Sequence, residues 1–484
     1  MAKGPRLDGE GLLKPEPKEK MTAYHWWVLI IGSMAWLFDC MDQRIFILSR
    51  QPALKTVMVG ADPLDISKMG DVVTACMMFG WAVGGLFFGI IGDKWGRVRT
   101  LSTSIFVYSI FTGLSGLSQH WWDFAAYRFL MGCGIGGAFA TAATLIAETL
   151  PNHLRALALG SFQALSALGN ITGSAVATWL IKPDMPMENF LGMGDVMGWR
   201  LLFGFGILPA LLIVVVMQTI KEPEQWQQAR KTAKDQLDRQ MGDLKSMVTH
   251  SRWRRNMIVG VLLSLAGVVG LWGVGFYTPE LIGEAMKDAS VETKSFYKGF
   301  GTMIQDVGAL CGMFFFTFLA LRVGRRAAFG ICFLAAYIIV SYVFLRLTAA
   351  YQVFYMTPMV GFVTLSVFGG YSIYFPEIFP TRLRATGTAI CYNVARILAG
   401  IIILMQLPMK SFFNDLIAKN SEFFQSIGVT TPFRAVAIVM CSVYFVGLVA
   451  LIWAPETRGR PLPTDDEVEE GKPATGVLRS EKTA

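Results

Sequence analysis

Apolar residues along this chain gather into stretches of about 20, the length that crosses a hydrocarbon core at about 1.5 Å per residue. The stretches predict spans near 24–47, 71–92, 99–118, 122–148, 157–181 and 199–220, then 255–281, 297–320, 327–347, 351–375, 385–408 and 432–454. Residues 221–254, the long polar stretch inside the chain, divide them into two sets of six. The expected fold class is an all-α integral membrane protein with twelve transmembrane helices in two six-helix bundles. The bundles occupy 24–220 and 255–455, between polar tails 1–23 and 456–484. A polar tail precedes the first span and no small-residue cleavage site follows it, so that span is expected to stay in the membrane.

Composition narrows the function. Apolar residues make up 53% of the 484 and charged ones 16%, against roughly 25% charged in soluble domains. That excludes a soluble enzyme. The 49 Gly and 20 Pro suit packed membrane helices. A net charge of +8 would fit a nucleic-acid partner, but the charges sit between apolar runs, which excludes one. All seven cysteines fall inside apolar stretches and none forms a C-x-x-C pair, so neither a disulfide nor a metal site is expected. No G-x-x-x-x-G-K-S/T loop occurs, so ATP-driven pumping is not expected, nor is any cofactor.

The cations fix an orientation. Lys221, Arg230, Lys231, Lys234, Arg239, Lys245, Arg252, Arg254 and Arg255 lie in or beside the central linker. Connectors on the same side hold Lys94, Arg97, Arg99, Arg155, Arg322, Arg325, Arg326, Arg382 and Arg384, while opposite connectors hold fewer. The positive-inside rule then places the linker and both termini in the cytoplasm. A multi-pass protein of the cell membrane is expected, acting as a monomer in the lipid bilayer.

The halves repeat. ETLPNHLR from Glu148 to Arg155 matches EIFPTRLR from Glu377 to Arg384, and Gly96-Arg97 matches Gly324-Arg325, with a shift of 228–229 residues. Two similarly oriented six-span halves mark a parallel-repeat transporter, whose binding site lies near the midplane between them.

The segment Gly89-x-x-x-Asp93-Lys94-x-Gly96-Arg97-x-Arg99 resembles the signature that follows the second span in the major facilitator superfamily. Arg128-x-x-x-Gly132-x-Gly134-x-Gly136 in span 4 fits the same superfamily. Pro223-Glu224-x-Trp226 and Pro455-Glu456-Thr457-Arg458-Gly459-Arg460 are similar to sugar-porter elements, the first of them degraded. Asp39-Cys40-Met41-Asp42 resembles the Asp-Gly-Tyr/Phe-Asp element of proton symporters for aromatic acids, sialate and lactate, with Cys40 in place of glycine. In those symporters two arginines accompany the aspartates, and Arg128 and Arg396 stand at matching places. The resemblance implies that Asp93, Lys94, Arg97 and Arg99, with the glycines, latch the cytoplasmic gate. Glu148 with Arg155, and Glu377 with Arg384, belong to the same layer. In the second repeat Leu321 replaces the aspartate and Thr317 the first glycine, so the latch around Arg325 is expected to be weaker.

An ionisable side chain inside the membrane is costly and becomes a functional candidate by default. Asp39 and Asp42, three residues apart, share a helix face and lie roughly 21 and 26 Å into span 1; Arg44 is rotated well away from Asp39. Two carboxylates so close in low dielectric do not both ionise cheaply, which suits a proton carrier. The bland alternative is a structural ion pair with Arg128, roughly 9 Å from the outer face. Arg396 and Asp306 lie about 18 and 14 Å into spans 11 and 8. The guanidinium suits a substrate carboxylate, with Asp306 expected to pair with it in the empty site; the alternative is a permanent Arg396–Asp306 bridge.

Gln163, Asn170, Tyr371, Tyr374, Tyr392, Asn393, Trp272 and Tyr277 are candidates to line the cavity. For any one aromatic, packing is the commoner role. The leading reading is proton-coupled symport of a small organic anion. A sugar or polyol porter is the rival, and a transporter-derived nutrient sensor is a third class. Two buried arginines favour the anion, because a neutral sugar offers guanidinium groups no compensation.

Overall fold

The structure, a computed structural model, describes residues 20–177, 186–187, 196–235, 240–404 and 406–463. Most of both expected tails, residues 178–181 of the expected fifth span, and Arg239 lie outside them. Twelve long helices run in chain order among the described residues: α1 (Ala23–Val57), α2 (Pro63–Trp95), α3 (Arg97–Ser115), α4 (Trp121–Thr149), α5 (Asn152–Ala175) and α6 (Gly198–Thr219). The second half repeats them as α7 (Ser251–Trp272), α8 (Val291–Val323), α9 (Arg325–Arg346), α10 (Ala350–Glu377), α11 (Arg384–Leu404) and α12 (Pro432–Ala450). Eight are long and apolar enough by themselves to cross a membrane. The other four, α1, α3, α5 and α11, fall short of that measure over their described residues.

Several helices outrun the apolar stretches that predicted them: α1 ends at Val57 rather than 47, and α2 begins at Pro63 rather than 71. An apolar run marks where hydrocarbon ends, whereas the backbone ladder continues into water until a cap or turn stops it. α6 breaks between Phe205 and Ala210, where Gly206 and Pro209 interrupt the ladder. The all-α expectation omits one two-residue antiparallel ribbon, Pro186–Met187 with Val196–Met197.

Small residues set the packing. Gly80 and Gly84 of α2 lie so close to the backbone of Phe129 and Cys133 in α4 that a side chain at either position would collide with it. The same device recurs 228 residues on, where Gly308 and Gly312 of α8 meet the backbone of Pro358 and Phe362 in α10. Glycines spaced by four allow such close helix approach. Between the halves α2 crosses α11, with Gly85 against Asn393 and Gly89 against Ala389, and α5 crosses α8, with Gly160 against Thr317. The site lies along these crossings.

Candidate functional site

The latch is built where α2 turns into α3. Gly96 has φ +123°, a backbone conformation that favours glycine, and the turn aims Asp93 at the N-terminus of α11 in the other half. Its two carboxylate oxygens accept from the Ala385 and Thr386 N–H groups at 3.1 and 2.8 Å. An anion at unsatisfied helix-terminal donors is favoured both by hydrogen bonding and by the helix dipole. Arg97 pairs with Asp93 at 3.1 Å and forks onto Glu148 at 3.0 and 2.9 Å. It also reaches the Thr381 carbonyl across the interface at 2.8 Å.

The repeat supplies a second triad. Glu148 takes Arg97 from its own half and Arg384 from the other at 2.7 Å. Glu377 takes Arg325 from its own half at 2.9 Å and Arg155 from the other at 3.7 Å. Gly324, φ +94°, makes the matching turn. Leu321 provides no carboxylate to cap α5, so the second cluster lacks the counterpart of the Asp93 tie across the halves.

Of the expected gating residues, Gly89, Asp93, Gly96, Arg97, Glu148, Arg155, Arg325, Glu377 and Arg384 meet at this end. Lys94 and the Arg99 side chain point outward, and loop charge accounts for them.

Two further glutamates brace the turns. Glu222 accepts from the Arg97, Val98 and Arg99 N–H groups at 2.6, 3.0 and 3.3 Å, and Glu456 accepts from those of Arg325 and Arg326 at 3.0 and 3.1 Å. Burial pushes the Glu456 carboxyl up, but the N–H groups of Arg325, Arg458, Arg326 and Thr457 outweigh it and hold the carboxyl below the usual glutamate value. The Trp226 indole of the linker helix Glu224–Asp235 donates to the Asp93 carbonyl at 2.7 Å. The sequence offered a signal for both glutamates, an acid next to proline at the end of each half.

Toward the centre, the Arg396 guanidinium lies between two rings, 3.8 Å from the Trp81 centroid on α2 and 4.0 Å from that of Tyr392. Its Nη1 donates to the Asn393 side chain at 2.9 Å, while its Nε finds no acceptor in the protein. Tyr392 stacks on Phe139 of α4 at 4.3 Å, and Phe139 in turn meets Trp36 and Phe162 at 5.0 and 5.9 Å. The indole N–H groups of Trp36 and Trp81 and the side-chain oxygens of Gln163 and Gln305 are buried without a partner. An arginine between Trp81 and Tyr392 with a buried N–H left free, and the free Trp81 N–H beside it, suit a planar polar ligand.

Three expectations change here. Arg128 lies inside the first half, among Phe203, Phe46 and Phe124, where it donates to Ser115 at 2.9 Å and meets Asp42 at 3.5 Å. That is the structural-pair alternative, because α1, α3, α4 and α6 close around the guanidinium. Tyr371 donates to the Leu263 carbonyl at 2.6 Å and packs within the second half. Asp306 pairs with Arg44 at 2.6 Å and not with Arg396. Four residues separate Cys40 from Arg44, so both face the second half, whereas Asp39 and Asp42 face α3 and α4. Asp39 is fully buried, with Tyr108 of α3 as its polar neighbour and no ion pair among the described residues. Sequence reasoning measured Arg44 only against Asp39 and so missed its partner.

These features define a helical membrane protein of two repeated six-helix halves, with an arginine–aromatic cage between them and a charged cluster at one end. Residues 20–468 match the family described as "Sugar (and other) transporter", and the chain belongs to that family within the major facilitator superfamily. It is therefore a multi-pass membrane transporter of small molecules rather than an enzyme. A probable 4-methylmuconolactone transporter of Cupriavidus pinatubonensis is 26% identical, covering 96% of each chain. A cis,cis-muconate transport protein of Acinetobacter baylyi is 31% identical over 66% of this chain and 74% of its own. The proton:xylose symporter XylE of E. coli shares the fold, with a TM-score of 0.70 at 20% identity, covering 93% of this chain and 99% of its own.

Proposed function

We propose that this transporter is a proton-coupled symporter for small organic anions, working by alternating access as a monomer in the cell membrane with linker and both termini cytoplasmic. The observation that carries the reading is Arg396, whose guanidinium is held between Trp81 and Tyr392 with an unused N–H. A planar guanidinium matches a carboxylate in two-point geometry, and the aromatic walls take a flat apolar body. Asn393, Gln163 and Tyr392 complete the binding set, while Tyr371 and Arg128 support it from within each half. Asp39, Asp42 and Asp306 are the protonatable groups. Asp39 is sealed from water in the first half and makes no ion pair among the described residues. Relatives that carry muconate and a muconolactone support the anion.

The family match and the Pro455–Arg460 element favour a second reading, a proton-coupled or facilitative sugar porter. Uptake into proteoliposomes, with and without an inward-acid pH gradient, tests both with benzoate, cis,cis-muconate, sialate and xylose. Gradient-driven uptake of xylose alone would overturn the anion reading. For topology, a cysteine introduced at Gln227 should resist impermeant reagent applied outside intact cells.

A further inference from the structure

The Arg44–Asp306 pair is an odd structural tie. It joins α1 of one half to α8 of the other, and its side chains are 10% and 6% exposed. Arg44 uses only Nη2, at 2.6 Å, and its Nε is buried without an acceptor. Cys40, one turn before Arg44, has Arg396, Arg44 and Asp306 as charge neighbours besides the adjacent Asp39, which places both guanidiniums near one thiol at the inter-half site. Among the described residues of the helices packed against it, no other charge competes for Asp306. The α5 and α10 helices packed against α8 carry charge only at their latch ends, Arg155 and Glu377 among them, and α9 only at its ends. In the helix Thr278–Ala285, Glu284 is paired with Arg434 at 2.7 Å and Glu280 faces Lys298, Lys410 and Arg50.

We propose that Asp306 is a resident stand-in for a second acid group of the substrate: a dicarboxylate places one carboxylate on Arg396 and the other on Arg44, displacing Asp306. The inference rests on the organic-anion reading and names its substrate class. Leaving aside Asp39, which faces Tyr108 within the first half, two guanidiniums and one aspartate leave the empty site with a single uncompensated cation. Filling it with a dianion leaves Asp306 without its cation, and the carboxylate then takes one proton from the water to which the site opens. Proton and substrate are thereby linked, each favouring the other by the same factor. A monocarboxylate engages Arg396 and leaves the Arg44–Asp306 pair intact.

The test is equilibrium binding of adipate and hexanoate to the purified full-length protein between pH 6 and 8, in wild type, Asp306→Asn and the double variant Arg44→Gln/Asp306→Asn. Asp306→Asn frees Arg44 and should raise the ratio of adipate to hexanoate affinity by between about five- and a hundredfold and flatten the pH dependence of adipate binding. The double variant leaves no orphan charge and guards against simple misfolding; it should still bind hexanoate and lose the preference for adipate. A ratio of adipate to hexanoate affinity in Asp306→Asn equal to wild type, or a double variant that still prefers adipate, overturns the proposal. Those results would leave the anion reading intact as long as hexanoate binding still depends on Arg396. If neither acid binds the wild type and xylose does, the anion reading itself has failed.

Discussion

Arg384, at the start of α11, donates to Glu148, at the end of α4, across the interface between the halves at 2.7 Å, whereas their repeat counterparts Arg155 and Glu377 stand 3.7 Å apart. The pseudo-twofold thus relates two latches of unequal grip. The tight one is reinforced by Asp93, which caps α11, and the loose one has Leu321 at the equivalent position.

Unequal grip has a kinetic consequence. Glu148→Gln leaves Arg97 and Arg384 buried without their shared anion, a loss on the order of 3–5 kcal/mol to the state in which this end is shut. Glu377→Gln releases a looser contact and should cost less. In proteoliposomes we expect Glu148→Gln to slow uptake by at least about tenfold and Glu377→Gln by a smaller factor, with substrate affinity little changed in both. Equal slowing by the two variants would show that the geometric asymmetry has no functional weight.

A second prediction concerns pH at the α9 turn. Glu456 is held below the usual glutamate value by the backbone N–H groups it caps. A group with a depressed folded-state pKa stabilises fully above its unfolded value, about 4.3, and loses that contribution as pH falls through the folded value. Thermal unfolding of the detergent-solubilised protein should therefore show a drop in midpoint below about pH 4. Glu456→Gln should lower the midpoint at pH 7 and shrink that drop. A variant whose midpoint at neutral pH equals wild type would mean the cap contributes nothing.

Much of this was legible in the sequence. Apolar runs gave the twelve helices because a bilayer demands their length, and the 228–229 shift between the Glu148 and Glu377 motifs exposed the repeat. Asp93 and Arg97 could be named because a long motif carries them. The pairing of Asp306 was not legible. Depth along a helix shows which charges lie at similar heights, but not which way each faces once two halves are docked, and Arg396 and Arg44 were both within range. Glu222 was marked only by its place beside Pro223, because its partners are backbone N–H groups of a distant turn, which residue identity does not reveal.

The anchor role of Arg396 yields a third prediction. Arg396→Lys keeps the charge but replaces a planar fork stacked between Trp81 and Tyr392 by a compact ammonium. Binding of a carboxylate should weaken by at least about tenfold, the scale of one charge-assisted hydrogen bond, while any binding of xylose should change little. Titration calorimetry with both ligands on the same preparation separates these effects. Unchanged carboxylate affinity would remove Arg396 from the site.

The fourth prediction concerns Asp39, which is enclosed by α1, α3 and α4 beside Tyr108 and away from the ligand cage. It makes no ion pair among the described residues, so a neutral amide of the same shape should be tolerated here better than at Asp42, which pairs with Arg128 at 3.5 Å. Asp39→Asn permanently mimics the protonated carrier. The variant should still exchange substrate across the membrane, because that needs only reorientation of the loaded protein. What it loses is one proton's share of the driving force. One pH unit across the membrane is worth about 1.4 kcal/mol per proton, or about tenfold in accumulation. Under a one-unit gradient the steady-state accumulation ratio should therefore fall by about tenfold, with counterflow on the same vesicles near wild type. Loss of both activities would indicate a damaged fold, which Asp39→Glu, retaining a protonatable group, would help to identify. An accumulation ratio unchanged by Asp39→Asn would mean that this carboxylate carries no proton, leaving Asp42 and Asp306 to do so.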